Sequence, residues 1–323
     1  MKLLVTGAAG FIGSNFMRRI ADKSLGGIES VVVLDKLTYA GVRENLTVVE
    51  SMKNYQFVEG DICDGNLVSS LLSEIDAVIN FAAESHVDRS IGSAAEFVET
   101  NVGGVQVLLD AIKVSGRKIR FVQVSTDEVY GSIESGSWTE EWPLQPNSPY
   151  SASKAGGELL ARAYYKTHGL DVVITRCSNN YGSHHFPEKL IPLFVTNLLE
   201  GKKVPVYGNG KNVRDWLHVD DHCRGIHKVL MNGRAGEVYN IGGGRELNNL
   251  EITSLILEAM GKDESSIEYV EDRKGHDLRY SVDWTKINRE LGYEPQVKFE
   301  DGLRGTIQWY RDNESWWKPL KSR

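Results

Sequence analysis

Short runs of aliphatic and β-branched residues alternate with amphipathic stretches through the first half of the chain. The apolar runs Lys2–Thr6, Val31–Asp35, Gln56–Glu59, Ala77–Phe81, Arg120–Ser125 and Val172–Arg176 predict strands. Between them, Phe11–Asp22, Leu67–Leu72, Ala94–Val114 and Ser151–Thr167 carry helical patterns. Strands that are apolar throughout, rather than alternating, imply a parallel sheet covered by helices on both faces. Beyond about residue 177 the pattern loosens into loops rich in Asn, Gly and His. Helical patterns there fall at Glu188–Glu200, Val219–Met231, Leu247–Met260 and Asp301–Asn313. The expected fold is a doubly wound parallel α/β sheet over residues 1–176, with a smaller C-terminal α/β lobe mainly in 177–323. A segment near 213–242 is expected to return to the first domain, because Val238–Ile241 reads as one more strand of its sheet.

Composition changes this picture little. A chain of 323 residues exceeds the usual single-core size, which favours two lobes around a cleft. A formal charge of -7 argues against nucleic acid as the main partner. Cys63, Cys177 and Cys223 are widely separated and form no CxxC pair, so packed, reduced thiols are expected. Leu3-Leu4-Val5 is far short of a signal-peptide core, and no apolar run approaches the roughly 20 residues of a membrane span. A soluble, cytoplasmic protein is the expectation.

Candidate chemistry begins at the first strand–helix turn, Gly7-Ala8-Ala9-Gly10-Phe11-Ile12-Gly13. Glycine there allows unusual backbone angles and close approach of a pyrophosphate, and the helix N-terminus offers amides to it. In this context GxxGxxG indicates a Rossmann-type dinucleotide site; outside it, the same spacing is a tight turn. Asp35 ends the second strand, 22 residues after Gly13, where a carboxylate binds ribose hydroxyls and repels a 2′-phosphate. NAD is therefore favoured over NADP. Asp61-Ile62, after the third strand, is placed to meet the adenine, although such a pair is usually a simple loop cap.

Tyr150 and Lys154 stand one helical turn apart in Tyr150-Ser151-Ala152-Ser153-Lys154. A cation beside a phenol favours phenolate and suits the tyrosine to act as a base. YxxxK alone is common. Joined to the glycine turn and to Val124-Ser125-Thr126, it resembles the extended short-chain dehydrogenase/reductase superfamily. That resemblance implies Tyr150 as base, Lys154 on the nicotinamide ribose, and Thr126 orienting the substrate alcohol. Asp127 and Glu128 follow at the sheet edge, where doubly wound folds place ligands. Two carboxyls there suit a dehydration: once C4 of a hexose is a ketone, the C5 proton becomes acidic and the C6 hydroxyl a β-leaving group. Glu128 is the expected base at C5 and Asp127 the expected acid at C6. These roles require opposite protonation states.

Phe81–Ile91, Ser125–Gly131, Arg176–Gly182, Phe186–Pro192, Arg214–Leu217 and Gly275–Tyr280 resemble the dTDP-glucose 4,6-dehydratase family along nearly the whole chain. The resemblance implies a lyase that takes dTDP-glucose and forms a homodimer, with Ala94–Val114 and Ser151–Thr167 as the candidate dimer helices. It implies NAD contacts at Phe11, Ile12, Asp35, Asp61, Ile62, Ala83, Thr100, Tyr150, Lys154 and Asn180, beside the turn glycines Gly7, Gly10 and Gly13. It implies substrate contacts at Ser85, Thr126, Asn179, Lys189, Leu190, Tyr207, Arg214, Asn249, Arg273 and His276. Arg214 and Arg273 suit a diphosphate, and Tyr207 suits stacking on a base. Ser183-His184-His185 departs from the family's usual Pro-Tyr-Gln, Leu278 stands where an arginine is usual, and His218 replaces a frequent tyrosine. Two adjacent histidines without a third ligand make a loop rather than a metal site. A 4-epimerase, a dehydratase of another nucleotide sugar and an NAD-binding regulator remain as alternatives; the first and last leave Asp127-Glu128 without work.

Overall fold

The computed structural model describes residues 1–322. The six apolar runs form strands β1 (Lys2–Thr6), β2 (Ser30–Asp35), β3 (Tyr55–Glu59), β4 (Ala77–Asn80), β5 (Arg120–Thr126) and β6 (Val172–Cys177). Three short strands follow: β7 (Asn179–Tyr181), β8 (Val204–Tyr207) and β9 (Val213–His218). Then come β10 (Val238–Ile241), β11 (Glu246–Asn248) and β12 (Ile267–Val270). The large sheet has the order β10-β6-β5-β4-β1-β2-β3, and every pairing in it is parallel. All residues of β4 and β6 are buried, as expected of strands covered on both faces. One face packs against helices Phe11–Ala21 and Val219–Asn232 through Phe16, Ile20, Ile226 and Val229. The other face meets Val105–Ser115 and Pro149–His168 through Leu108, Ile112 and Ala161. The chain reverses winding direction between β1 and β4, which opens a crevice at their C-terminal ends.

The expected helix Ala94–Val114 divides into three pieces. A short turn, Ala95–Val98, runs into a π segment at Glu99–Gly104 before the α-helix Val105–Ser115. Asn101, within the π segment, binds both backbone groups of Glu84 at 3.0 Å and the hydroxyl of Ser153 at 2.9 Å. Apolar periodicity cannot announce such a widening, because a long-range polar contact is made at it.

Val238–Ile241 does return to the large sheet, beside β6. Val213–His218 instead joins the small sheet β11-β9-β7, while the helix after it packs back on the large one. The C-terminal lobe has its own core, including Phe194, Ile252, Ile256, Leu303 and Trp317. Leu247 and Asn248, expected at a helix start, belong to β11; Asn248 caps the helix Asn249–Ala259 in a capping box with Glu251. Cys63, Cys177 and Cys223 are free thiols. No helix among the described residues is long and apolar enough to cross a membrane.

Candidate active site

A cavity of about 300 Å³ opens along the C-terminal ends of β1, β2, β4 and β5. Gly7 takes φ +69°, and a Cβ on it would lie 2.5 Å from the backbone nitrogen of Ala82. A Cβ on Gly13 would stand 2.5 Å from the Gly7 carbonyl, so the turn closes only with glycine at both places. Asp35 is buried, and its two carboxylate oxygens accept from the amides of Ala9 and Leu37 at 2.7 and 2.8 Å. Burial raises its pKa, and those two amides oppose the rise. Each oxygen keeps a lone pair for a ribose hydroxyl. Asp61 lies just beyond β3, pairs with Lys36 at 2.6 Å, and lines the cavity with Ile62. Gly10, Phe11, Ile12, Ala83, Thr100, Tyr150, Lys154 and Asn180 also line it, so the expected cofactor residues share one cavity. A glycine turn at a helix N-terminus, with a ribose-facing carboxylate, fits a dinucleotide without a 2′-phosphate.

The end of β5 brings the acid–base residues to this cavity. Thr126 caps a 3₁₀ turn, Asp127–Tyr130, and its hydroxyl accepts from the Glu128 amide at 3.3 Å while donating to Asp127 Oδ1 at 3.1 Å. Asp127 Oδ2 is buried and has no partner among the described residues. Burial and then the neighbouring Glu128 push the Asp127 carboxyl well above its usual range. Burial also raises Glu128, but the cations of Arg214, Lys189 and Arg273 pull it back. Both carboxyls are therefore raised, Asp127 well above its usual range and Glu128 with three cations opposing the rise. Tyr150 behaves differently from the expectation. Burial, Glu128, Cys177 and Asp127 all hold it as a phenol well above its ordinary value. Lys154 spends its hydrogen bond on the Val124 carbonyl at 2.7 Å, and burial lowers its pKa to about 8.

A second cavity, of about 190 Å³, continues from the first into the C-terminal lobe. Ser85, Glu128, Asn179, Asn180, His185, Glu188 and Lys189 line both. Leu190, Tyr207, Arg214, Asn249, Arg273 and His276 line the second. Lys189 donates to the Ser85 carbonyl at 2.8 Å, joining the lobes. Arg214 is fixed by the carbonyls of Val213 and Asp277 at 2.7 and 3.0 Å and lies over the Tyr280 ring. Arg273 pairs with Asp88 at 2.9 Å and stands 5.4 Å from the Tyr207 ring centre. His276 shares a hydrogen with Asp272 across 2.7 Å.

Some residues that build the site carried no signal of their own. Asp88, Glu188 and His222 have roles set by partners distant in sequence: Arg273, the Tyr39 hydroxyl at 2.8 Å, and Asn180 at 3.0 Å. His185 stacks on Phe11 with centroids 4.0 Å apart, and His184, at φ +64°, packs on Trp309 and Trp316. The departure Ser183-His184-His185 thus lies over the glycine turn, held by the C-terminal helices. His218 sets its ring edge-on to Tyr181, and Leu278 is exposed.

The model of the GDP-mannose 4,6 dehydratase family matches residues 4–306. A dTDP-glucose 4,6-dehydratase of Streptomyces niveus is 59% identical over 324 residues, covering 100% of this chain and 96% of that protein. A dTDP-glucose 4,6-dehydratase of Streptomyces venezuelae, solved with NAD and dTDP bound, superposes with a TM-score of 0.98 at 60% identity, covering 99% of this chain and 100% of that one. The enzyme of that name from Bacillus anthracis, solved with NAD, gives 0.91 at 51%, covering 99% of each chain. With this likeness running from end to end and the acid–base residues gathered at the sheet edge, the chain belongs to the dTDP-glucose 4,6-dehydratase family, within the group that the GDP-mannose 4,6 dehydratase model describes.

Proposed function

We propose that this protein is an NAD-dependent hydro-lyase that converts dTDP-glucose to dTDP-4-keto-6-deoxyglucose. The observation that carries the reading is the unequal setting of two adjacent carboxyls: burial raises both, but Asp127 lies well above its usual range while three cations oppose the rise of Glu128. An epimerase has no use for that difference, since it only oxidises C4 and reduces it from the other face.

With NAD held along the glycine turn and Asp35, the site has an acceptor for the C4 hydride that returns it at C6. Tyr150 takes the C4 hydroxyl proton, a role that requires its phenol to ionise against the surrounding carboxyls, and Lys154, one turn further along the helix, holds the nicotinamide ribose. Thr126 orients that hydroxyl. Glu128 removes the C5 proton, now α to a ketone, and Asp127 protonates the departing C6 hydroxyl. Ser85, Asn179, Lys189, Leu190 and Asn249 surround the sugar and diphosphate, Arg214, Arg273 and His276 bind phosphate oxygens, and Tyr207 stacks on the base. The protein works in the cytoplasm as a homodimer. The exposed Val98 and Leu159, on the adjoining segments Ala95–Val98 and Pro149–His168, support that face as the dimer contact.

Parallel incubation with dTDP-glucose, UDP-glucose and GDP-mannose, scored by mass spectrometry, tests the reading. Loss of water from dTDP-glucose is expected. An isomer of unchanged mass would make it an epimerase, and water lost faster from another nucleotide sugar would move the specificity.

A further inference from the structure

Behind the wall shared by the two cavities, His222 has no exposure to solvent, and its Nδ1 lies 3.0 Å from Asn180 Oδ1. Asn180 Nδ2 donates to the Ser178 carbonyl at 2.9 Å. A carbonyl can only accept, so this contact fixes the amide with its nitrogen towards Ser178 and its oxygen towards the histidine. The amide oxygen can also only accept, so the imidazole proton belongs on Nδ1. Burial keeps the ring neutral, lowering its pKa to about 3, and Nε2 is left with a lone pair and no partner.

That unpaired buried nitrogen costs stability, and a phenyl ring would fill the same space without it. What histidine adds over phenylalanine is one N–H, and that N–H goes to Asn180. Asn180 in turn lines both cavities, and its Nδ2 carries a second hydrogen besides the one given to Ser178. We propose that His222 is a positioning residue for the cofactor: it locks the Asn180 amide so that a donor, not an acceptor, is offered to bound NAD. The ligand atom facing Asn180 is then an acceptor oxygen. This rests on the reading above that Asn180 touches NAD.

The test is the rate at which NAD leaves the full-length holoprotein, read by fluorescent NADH taking its place. His222→Phe keeps the bulk and removes the donor; His222→Asn puts an amide nitrogen where Nδ1 stood. His222→Phe should release NAD about fivefold faster or more, the effect of one lost hydrogen bond. His222→Asn should stay within about twofold of the parent, given the same bond. Equal release from His222→Phe and parent overturns the positioning, as does an Asn variant as leaky as the Phe one. Asn180→Ala separates the two layers. Faster release from it alone, with His222→Phe unchanged, leaves the cofactor contact standing and removes the role of His222. Unchanged release from Asn180→Ala overturns the contact and the positioning together.

Discussion

Lys154 donates its hydrogen bond to the carbonyl of Val124 at 2.7 Å, although Tyr150 stands one turn before it on the same helix. Lys154 is 5% exposed, and burial lowers its pKa to about 8 from the ordinary 10.5. Between those two values the unfolded chain binds more protons than the folded one, so stability rises with pH across that window. Below it, the buried charge destabilises the NAD-free protein by on the order of 3 kcal/mol. Lys154→Met removes the charge and also one hydrogen bond worth ~1 kcal/mol. The expected result at pH 7 is a protein about 2 kcal/mol more stable by urea denaturation, with turnover nearly abolished. A variant that is both inactive and less stable would show that the ammonium contributes to the fold.

Asp127 and Glu128 should separate when each is neutralised. Asp127→Asn cannot protonate the leaving hydroxyl, so dehydration should fall by about 10²–10⁴-fold while exchange of the C5 hydrogen with solvent persists. Glu128→Gln should lose that exchange as well. Proton NMR of dTDP-glucose in heavy water reads both steps. The acid form of Asp127 is populated below its raised pKa and lost above it, so the basic limb of the rate profile should disappear in Asp127→Asn. Persistence of that limb would assign it to another group.

Sequence and structure agree where the signal is local. The glycine turn, Asp35, Thr126 and the apolar strands all act through their own backbone or their place at a sheet edge, and all lie where the pattern put them. Short strands such as β7 and β11, of three residues each, are below any readable period. The π segment exists because Asn101 meets Glu84 and Ser153, a contact across the fold. The proximity of Tyr150 and Lys154 was legible, but the electrostatics were not. Sequence spacing placed a cation near a phenol, whereas the folded site surrounds that phenol with carboxyls and turns the ammonium to Val124.

Arg176 and Glu158 form a buried ion pair, with side chains 6% and 1% exposed, between β6 and the helix that carries Lys154. Arg176 also donates to the Tyr130 hydroxyl at 2.7 Å, which itself donates to Asn240 at 2.9 Å. Removing one partner strands a charge away from water. Arg176→Met should therefore cost about 3–5 kcal/mol by urea denaturation, and adding Glu158→Leu should recover much of that loss. No recovery in the double variant would mean that the bond to Tyr130, rather than the pair, holds the network.

Arg273 is engaged by Asp88 at 2.9 Å across the second cavity from the helix Val87–Gly92. A diphosphate arriving there competes with that carboxylate for the guanidinium. Asp88→Asn keeps the shape but weakens the hold, since the bond to a neutral amide lacks the charge-assisted part. KM for the nucleotide sugar should then fall severalfold with kcat little changed, because the interaction is lost equally on the way to bound substrate and to the transition state. Arg273→Lys should raise KM instead, as a point charge cannot grip two phosphate oxygens as a planar guanidinium does. The two variants together decide the matter in steady-state kinetics at low ionic strength. A rise in KM for Asp88→Asn would mean that the carboxylate holds Arg273 in its binding pose and is not a competitor for it.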